Sequence, residues 1–156
     1  MHYCVGIYDT VEGIRVRAAG LGIVGSAVLL VEHSKNGKSY WLLPGGGVRV
    51  GESAKTALKR ELKEELNIEV VVRDFLFVVE TWSQDGIHII QPTFLLDIDE
   101  TDGIAVGRDS RVVGFELFGV SDLEGRTIYP DIREEIIEYL KYRKVKSKYI
   151  YKPWVE

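Results

Sequence analysis

Glu61, Glu64 and Glu65 stand three and four residues apart, with Arg60 directly before them and Glu52 upstream. Residues at i, i+3 and i+4 share a helix face, so on a helix these carboxylates fall within an arc of about 100°. The arc abuts the apolar stripe of Leu58 and Leu62, which places the acids at the rim of a core. Like charges at this spacing repel by ~0.2–0.5 kcal/mol per pair in an isolated helix. Lys55, Lys59 and Lys63 fall on a different side and do not offset that repulsion. A walled cluster of carboxylates is what a hard divalent cation needs, and Mg²⁺ is commonly shared between a few carboxylates and substrate phosphates. Three glutamates alone are more often a solvated acidic face than a metal site. Against that stand a glycine loop just upstream, Glu52 at the loop–helix junction, and Arg60 inside the cluster.

The elements that must position these groups are legible from patterning. Ser53 to Leu66 predicts a helix: Ser53 is a good N-cap, Ala54, Leu58, Leu62 and Leu66 form the stripe, and Asn67 tolerates the left-handed geometry that ends helices. Asp131 to Arg143 predicts a second amphipathic helix, with Ile132, Ile136, Ile137 and Leu140 on one side. Ile14–Ala18, Gly22–Val31, Tyr40–Leu43, Ile68–Val72, Phe75–Glu80, Ile87–Ile98 and Arg111–Val120 read as strands. Asn36-Gly37 marks a hairpin turn, and Gly45-Gly46-Gly47 predicts a loop after Pro44. Strands before, between and after two helices predict an α/β fold, a mixed sheet with helices packed on its faces.

The chain of 156 residues has the length of one domain. We expect residues 1–156 to form it, with a core of about 13–143 and a basic, aromatic tail over 144–156. Twenty basic and 24 acidic residues give a formal charge of −4, which does not suggest a nucleic-acid surface. The single cysteine, Cys4, allows no internal disulfide and has no neighbour at zinc-ligand spacing. No apolar run reaches the ~20 residues of a membrane span, and the amino terminus lacks a secretory pattern, so a cytoplasmic setting is expected. His2, His33 and His88 lie in unrelated settings, each read as structural or exposed.

GGVRVGESAKTALKRELKEELNI, from Gly46 to Ile68, resembles the signature of Nudix hydrolases. Gly46, Glu52, Arg60, Glu61, Leu62, Glu64, Glu65 and Ile68 match at the correct spacing, and Asn67 replaces the final glycine. The resemblance implies an α/β/α sandwich and a phosphoanhydride hydrolase acting on a nucleoside diphosphate linked to another moiety. It implies that Glu61, Glu64 and Glu65 ligate Mg²⁺ or Mn²⁺, that Arg60 orients the glutamates through charge-assisted hydrogen bonds, and that Glu52 stands close by. Glu52, Arg60 and Glu64 are thereby the candidate catalytic residues. Gly46 and its neighbours let the loop and helix form one site. Family members often add a further acid from outside the helix. Glu80, Glu100, Asp102, Asp109 and Glu116 are the candidates, and the loop settings of Glu100 and Asp109 favour these two.

WLLPGGGVRVGES is similar to enzymes of the ADP-ribose or ADP-sugar type, whereas relatives acting on dinucleoside polyphosphates or RNA caps more often carry a P-K-G there. Gly46, Gly47, Arg49 and Trp82 are the candidate substrate contacts, with Trp41 a second aromatic near a site wall. Three rivals stand beside this reading: a nucleoside triphosphate pyrophosphohydrolase that sanitises the nucleotide pool, a Nudix-fold regulator without turnover, and an unrelated α/β binding domain whose acidic face is chance. All four signature glutamates are present, which tells against the regulator. Tyr149, Ile150, Tyr151 and Trp154, set among lysines, are expected to pack on the body of the protein, with a nucleic-acid contact and a homodimer contact as the alternatives.

Overall fold

The computed structural model describes residues 13–83, 86–98 and 103–153. His2, Cys4, Glu100, Asp102 and Trp154 therefore lie outside the described residues. The elements run β1 (Ile14–Val24), β2 (Ala27–Lys35), β3 (Lys38–Leu42), β4 (Gly45–Gly47), α1 (Ala54–Leu66), β5 (Val71–Trp82), β6 (His88–Asp97), β7 (Val112–Phe118), α2 (Arg133–Tyr142) and β8 (Tyr149–Tyr151), with a short 3₁₀ turn at Val120–Asp122.

The strands form a mixed sheet in the order β3-β2-β1-β6-β5-β8, with β4 added on β1 and β7 on β2. β1 runs parallel to β6 and β5 parallel to β8, while the other pairs are antiparallel. Both faces of the central strands are buried, which accounts for their near-continuous apolar runs. Ala18, Leu29, Val31, Phe94 and Leu96 pack on one face beneath Leu58, Leu62 and Leu66 of α1. Their sequence neighbours Ala19, Val28 and Leu30 point to the other face and pack with Ile136 and Tyr139 of α2. The period-2 alternation of the strands thus builds two cores, one under each helix. Leu58→Ala, at a side chain 0% exposed, should lower the unfolding free energy by about 2–5 kcal/mol in urea denaturation.

Both predicted helices form. Ser53 caps α1, its hydroxyl accepting from the Thr56 amide, and Asn67 closes it in the left-handed conformation at φ 54°. The strand boundaries differ in four places. Gly22–Val31 is interrupted by a turn at Gly25-Ser26, so its halves belong to β1 and β2. Gly25 sits at φ +62°, a left-handed geometry that hydropathy does not reveal. The triple glycine is not a loop but β4, in register with Arg17, Ala18 and Ala19. Val71–Trp82 is one strand whose register against β6 shifts between Val72 and Phe75 and again before Phe77, where the sequence pattern suggested a break. Lastly, the tail supplies β8, pairing with β5 and burying Ile150. That gives its central apolar residue a partner within the chain.

Candidate functional site

β4 and α1 meet at a point dictated by size. Gly46 is buried against Glu61, and a Cβ built on Gly46 would lie 2.2 Å from the Glu61 carboxyl carbon. Only glycine lets the strand approach this closely. Glu65, fully buried, accepts a hydrogen bond from the Gly45 amide at 3.0 Å through Oε2. Its other oxygen, Oε1, has no hydrogen-bond partner; His33 Nε2 stands 3.7 Å away.

Arg60 organises the junction. Its guanidinium donates to Glu52 Oε1 at 2.6 Å, to Glu52 Oε2 at 3.3 Å, to Glu61 Oε1 at 2.8 Å and to the Gly47 carbonyl at 2.9 Å. Glu64 lies at the outer edge, its side chain 43% exposed, 3.5 Å from Arg60 and 3.9 Å from Arg49. The Arg60 fork and the Arg49 amide hold the Glu52 carboxyl down at about 2. Because that value lies below the ordinary one, Glu52's contribution to stability is full above the usual carboxylate range and is lost as pH falls toward 2. Accordingly, the thermal midpoints of the protein and of its Glu52→Gln variant should differ at neutral pH and converge in strong acid, a comparison calorimetry can make.

A third acid reaches the cluster from a distant segment. Carboxylate oxygens of Glu61, Glu65 and Asp109 all lie within 4.8 Å of one another. The segment before β7 delivers Asp109 by capping α1: the amides of Ala105, Gly107 and Arg108 donate to the carbonyls of Leu66, Glu65 and Glu64 at 3.1, 2.7 and 2.8 Å. Those carbonyls are orphaned by the helix end, so the cap satisfies them and fixes the loop at once. Arg111 grips Asp109 at 2.7 and 3.1 Å and holds its carboxyl below the usual range.

The donor set fits a hard divalent cation. It consists of carboxylate oxygens, two of its three acids are buried, and one buried oxygen lacks any partner.

Beside this cluster opens a cleft of about 820 Å³. It arises because β1 and β2 pair only at Ile23–Val28 and Val24–Ala27 and then diverge. His33, Arg17 and Arg111 line the cleft at the end where they also meet the acids. Arg17 is braced there, donating to Gln91 Oε1 at 3.1 Å and to the Leu43 and Gly45 carbonyls at 2.8 and 3.2 Å. Tyr40 and Tyr129, with ring centroids 5.4 Å apart, give the cleft its aromatic surface.

Of the residues singled out from sequence, Gly46, Gly47, Glu52, Arg60, Glu61, Glu64 and Glu65 come together. The Arg49 side chain is exposed and stands 3.9 Å from Glu64, while its amide donates to Glu52. Trp82 does not line the cleft: its neighbours Thr81 and Ser83 do, and its ring stacks on His88 at 4.4 Å. Trp41 packs edge-on against Phe118 in the core. Among the further acids, Asp109 reaches the cluster; Glu116 is exposed on β7. Glu80 is bound to His88 at 2.8 Å and to the Tyr149 hydroxyl, a latch between β5 and the tail. Sequence reasoning missed Arg17, His33, Gln91 and Arg111. Alternation of basic and apolar residues over Ile14–Ala18 was a signal for Arg17; His33 and Gln91 carry no local signal.

The model of the NUDIX domain family matches residues 14–140. An ADP-ribose pyrophosphatase from Methanocaldococcus jannaschii is 36% identical over 73 residues, which are 46% of this chain and 43% of that protein. An RNA pyrophosphohydrolase from Teredinibacter turnerae is 32% identical over 71 residues, 46% of this chain and 42% of that protein. The matched segments thus span less than half of either curated relative. Among solved structures, a MutT protein from Methanosarcina mazei Go1 superposes with a TM-score of 0.71 at 21% identity, covering 86% of this chain and 98% of that one. At that identity the likeness speaks to the fold.

Proposed function

This chain belongs to the NUDIX domain family, and from that premise we propose that it is a metal-dependent pyrophosphohydrolase cleaving a nucleoside diphosphate linked to another moiety. One observation carries the reading: Glu61, Glu65 and Asp109 converge within 4.8 Å at the end of a cleft where Arg17 and Arg111 also line the wall. A diphosphate needs cations along its length and carboxylates at the scissile bond to hold a neutralising ion.

Glu61, Glu65 and Asp109 would hold Mg²⁺ or Mn²⁺, with Glu64 at the open side facing incoming phosphate. The bound ion would neutralise phosphate charge and lower the pKa of a coordinated water. The chain's own groups do the positioning. Arg60 keeps Glu61 and Glu52 in fixed rotamers through its fork. Arg111 keeps Asp109 ionised as an acceptor. Arg17, locked by two backbone carbonyls and Gln91, presents fixed positive charge where the diphosphate enters. Phosphoryl transfer is accelerated mainly by such positioning and electrostatics.

ADP-ribose or a nucleotide sugar is the substrate class we favour. The Methanocaldococcus relative, an ADP-ribose pyrophosphatase, supports it, as does the Pro44-Gly45-Gly46 sequence. Tyr40 and Tyr129, rather than Trp82, are then the surfaces available to a base. The second reading is a nucleoside triphosphate pyrophosphohydrolase, which releases pyrophosphate from a triphosphate; the relative named an RNA pyrophosphohydrolase lends it support. A panel of ADP-ribose, nucleotide sugars, dinucleoside polyphosphates and nucleoside triphosphates, assayed with and without Mg²⁺ and with products identified, decides between them. No cleavage of any member with the ion present would end the enzymatic reading.

A further inference from the structure

The cleft continues past the point where a diphosphate would reach. Arg15 lies two residues beyond Arg17 along β1, about 6.6 Å further from the acids at the usual rise of a strand. Lys35 lies two residues beyond His33 on β2, and Lys38 faces it in the β2–β3 register. This outer row stands further from the inner one than adjacent phosphates of a diphosphate stand from each other. No aspartate or glutamate lines the cleft among the described residues. Arg15 and Lys38 have no side-chain hydrogen bond or ion pair to another described residue.

The floor between the rows is equally one-sided. Gln91 is 1% exposed. Its amide oxygen is committed to Arg17, a group with donors only, which leaves the buried amide nitrogen as a donor. That nitrogen has no partner, and neither has the hydroxyl of Thr81, also 1% exposed and lining the cleft. Buried polar atoms without partners are uncommon, and each asks for a ligand or water. Arg15, Ile89 and Thr81 stand side by side across β1, β6 and β5, so the orphaned hydroxyl and the free guanidinium belong to one row. A free sugar hydroxyl, which donates as well as accepts, would find few acceptors at this outer row. A group made only of acceptors and carrying charge matches every one of these atoms.

Building on the pyrophosphohydrolase reading, we propose that this outer end of the cleft is a subsite for a second phosphate monoester, carried by the nucleotide substrate and bound by Arg15, Lys38, Thr81 and Gln91. Among nucleoside diphosphate derivatives of the favoured class, the enzyme then prefers those that carry a further phosphate monoester over their unphosphorylated counterparts.

Calorimetric titration without divalent ion tests this directly, with AMP, AMP plus free inorganic phosphate, adenosine 2′,5′-bisphosphate and adenosine 3′,5′-bisphosphate as probes. At least one bisphosphate is expected to bind about 10-fold more tightly than AMP, the scale of one charge-assisted hydrogen bond. The Arg15→Gln, Lys38→Gln double variant, altered at two exposed positions, should lose that difference. The proposal is overturned if neither bisphosphate binds more tightly than AMP, if the preference survives in the double variant, or if free phosphate added to AMP reproduces it. Since the titration requires no turnover, its failure is distinct from a failure of cleavage in the substrate panel.

Discussion

Glu65→Gln is expected to remove nearly all metal-dependent turnover, by more than the ~10–100-fold that loss of an outer partner of a metal ligand typically costs. The substitution is isosteric, and the amide oxygen can still accept from the Gly45 N–H that Glu65 now binds at 3.0 Å. What disappears is the negative charge on the buried oxygen that has no hydrogen-bond partner. The packing beneath it, made by Leu58, Leu62 and Leu66, is untouched. The thermal midpoint without divalent ion should therefore change little. The rise in midpoint on adding Mg²⁺, which follows ion affinity by mass action, should shrink. Glu64→Gln should also reduce turnover, with a smaller effect on that rise, because Glu64 stands at the rim, 43% exposed. Steady-state kinetics and melting curves at several Mg²⁺ concentrations check both. Wild-type rates in Glu65→Gln would remove the residue from the metal-holding set.

Gly46→Ala is expected to produce a loss of similar size by a different route. The added methyl would lie 2.2 Å from the Glu61 carboxyl carbon and 2.4 Å from both its oxygens. Either Glu61 swings away, breaking its 2.8 Å bond to Arg60, or β4 lifts from β1 and carries the Gly45 amide off Glu65. The first displaces one acid of the cluster and the second unpins another. Overpacking of this kind costs about 1–3 kcal/mol, so the variant should fold with a lowered midpoint and low activity at any Mg²⁺ concentration. Gly47→Ala is the control: its Cβ would meet nothing within 4 Å, so the change should be nearly neutral. Equal activity of the two alanine variants would show that the close approach of β4 to Glu61 is not needed.

The acids of α1 could be read from the chain because helical periodicity is local. Spacing alone puts Glu61, Glu64 and Glu65 on one face beside Leu58 and Leu62, and Ser53 and Asn67 mark both ends of the helix. The same holds for the alternating strand positions that fill two cores. Local rules could not say that the triple glycine is a strand, because the cause is a non-local neighbour: β1 supplies the pairing and Glu61 forbids any side chain at Gly46. They ranked Asp109 level with Glu100 because nothing near it in sequence distinguishes it. Its place comes from the carbonyl groups at the end of α1, whose need for donors draws residues 105–109 onto the helix and leaves Asp109 beside Glu61 and Glu65. They pointed to Trp82 and Trp41 and passed over Tyr40 and Tyr129, since which face an aromatic ring adopts is settled by the strands around it. Chemistry carried on one helix is written in its spacing. Chemistry shared between β1, β2, β6 and the loop before β7 exists only once divergence of β1 from β2 opens the cleft, because pairing across long separations depends on the whole sheet.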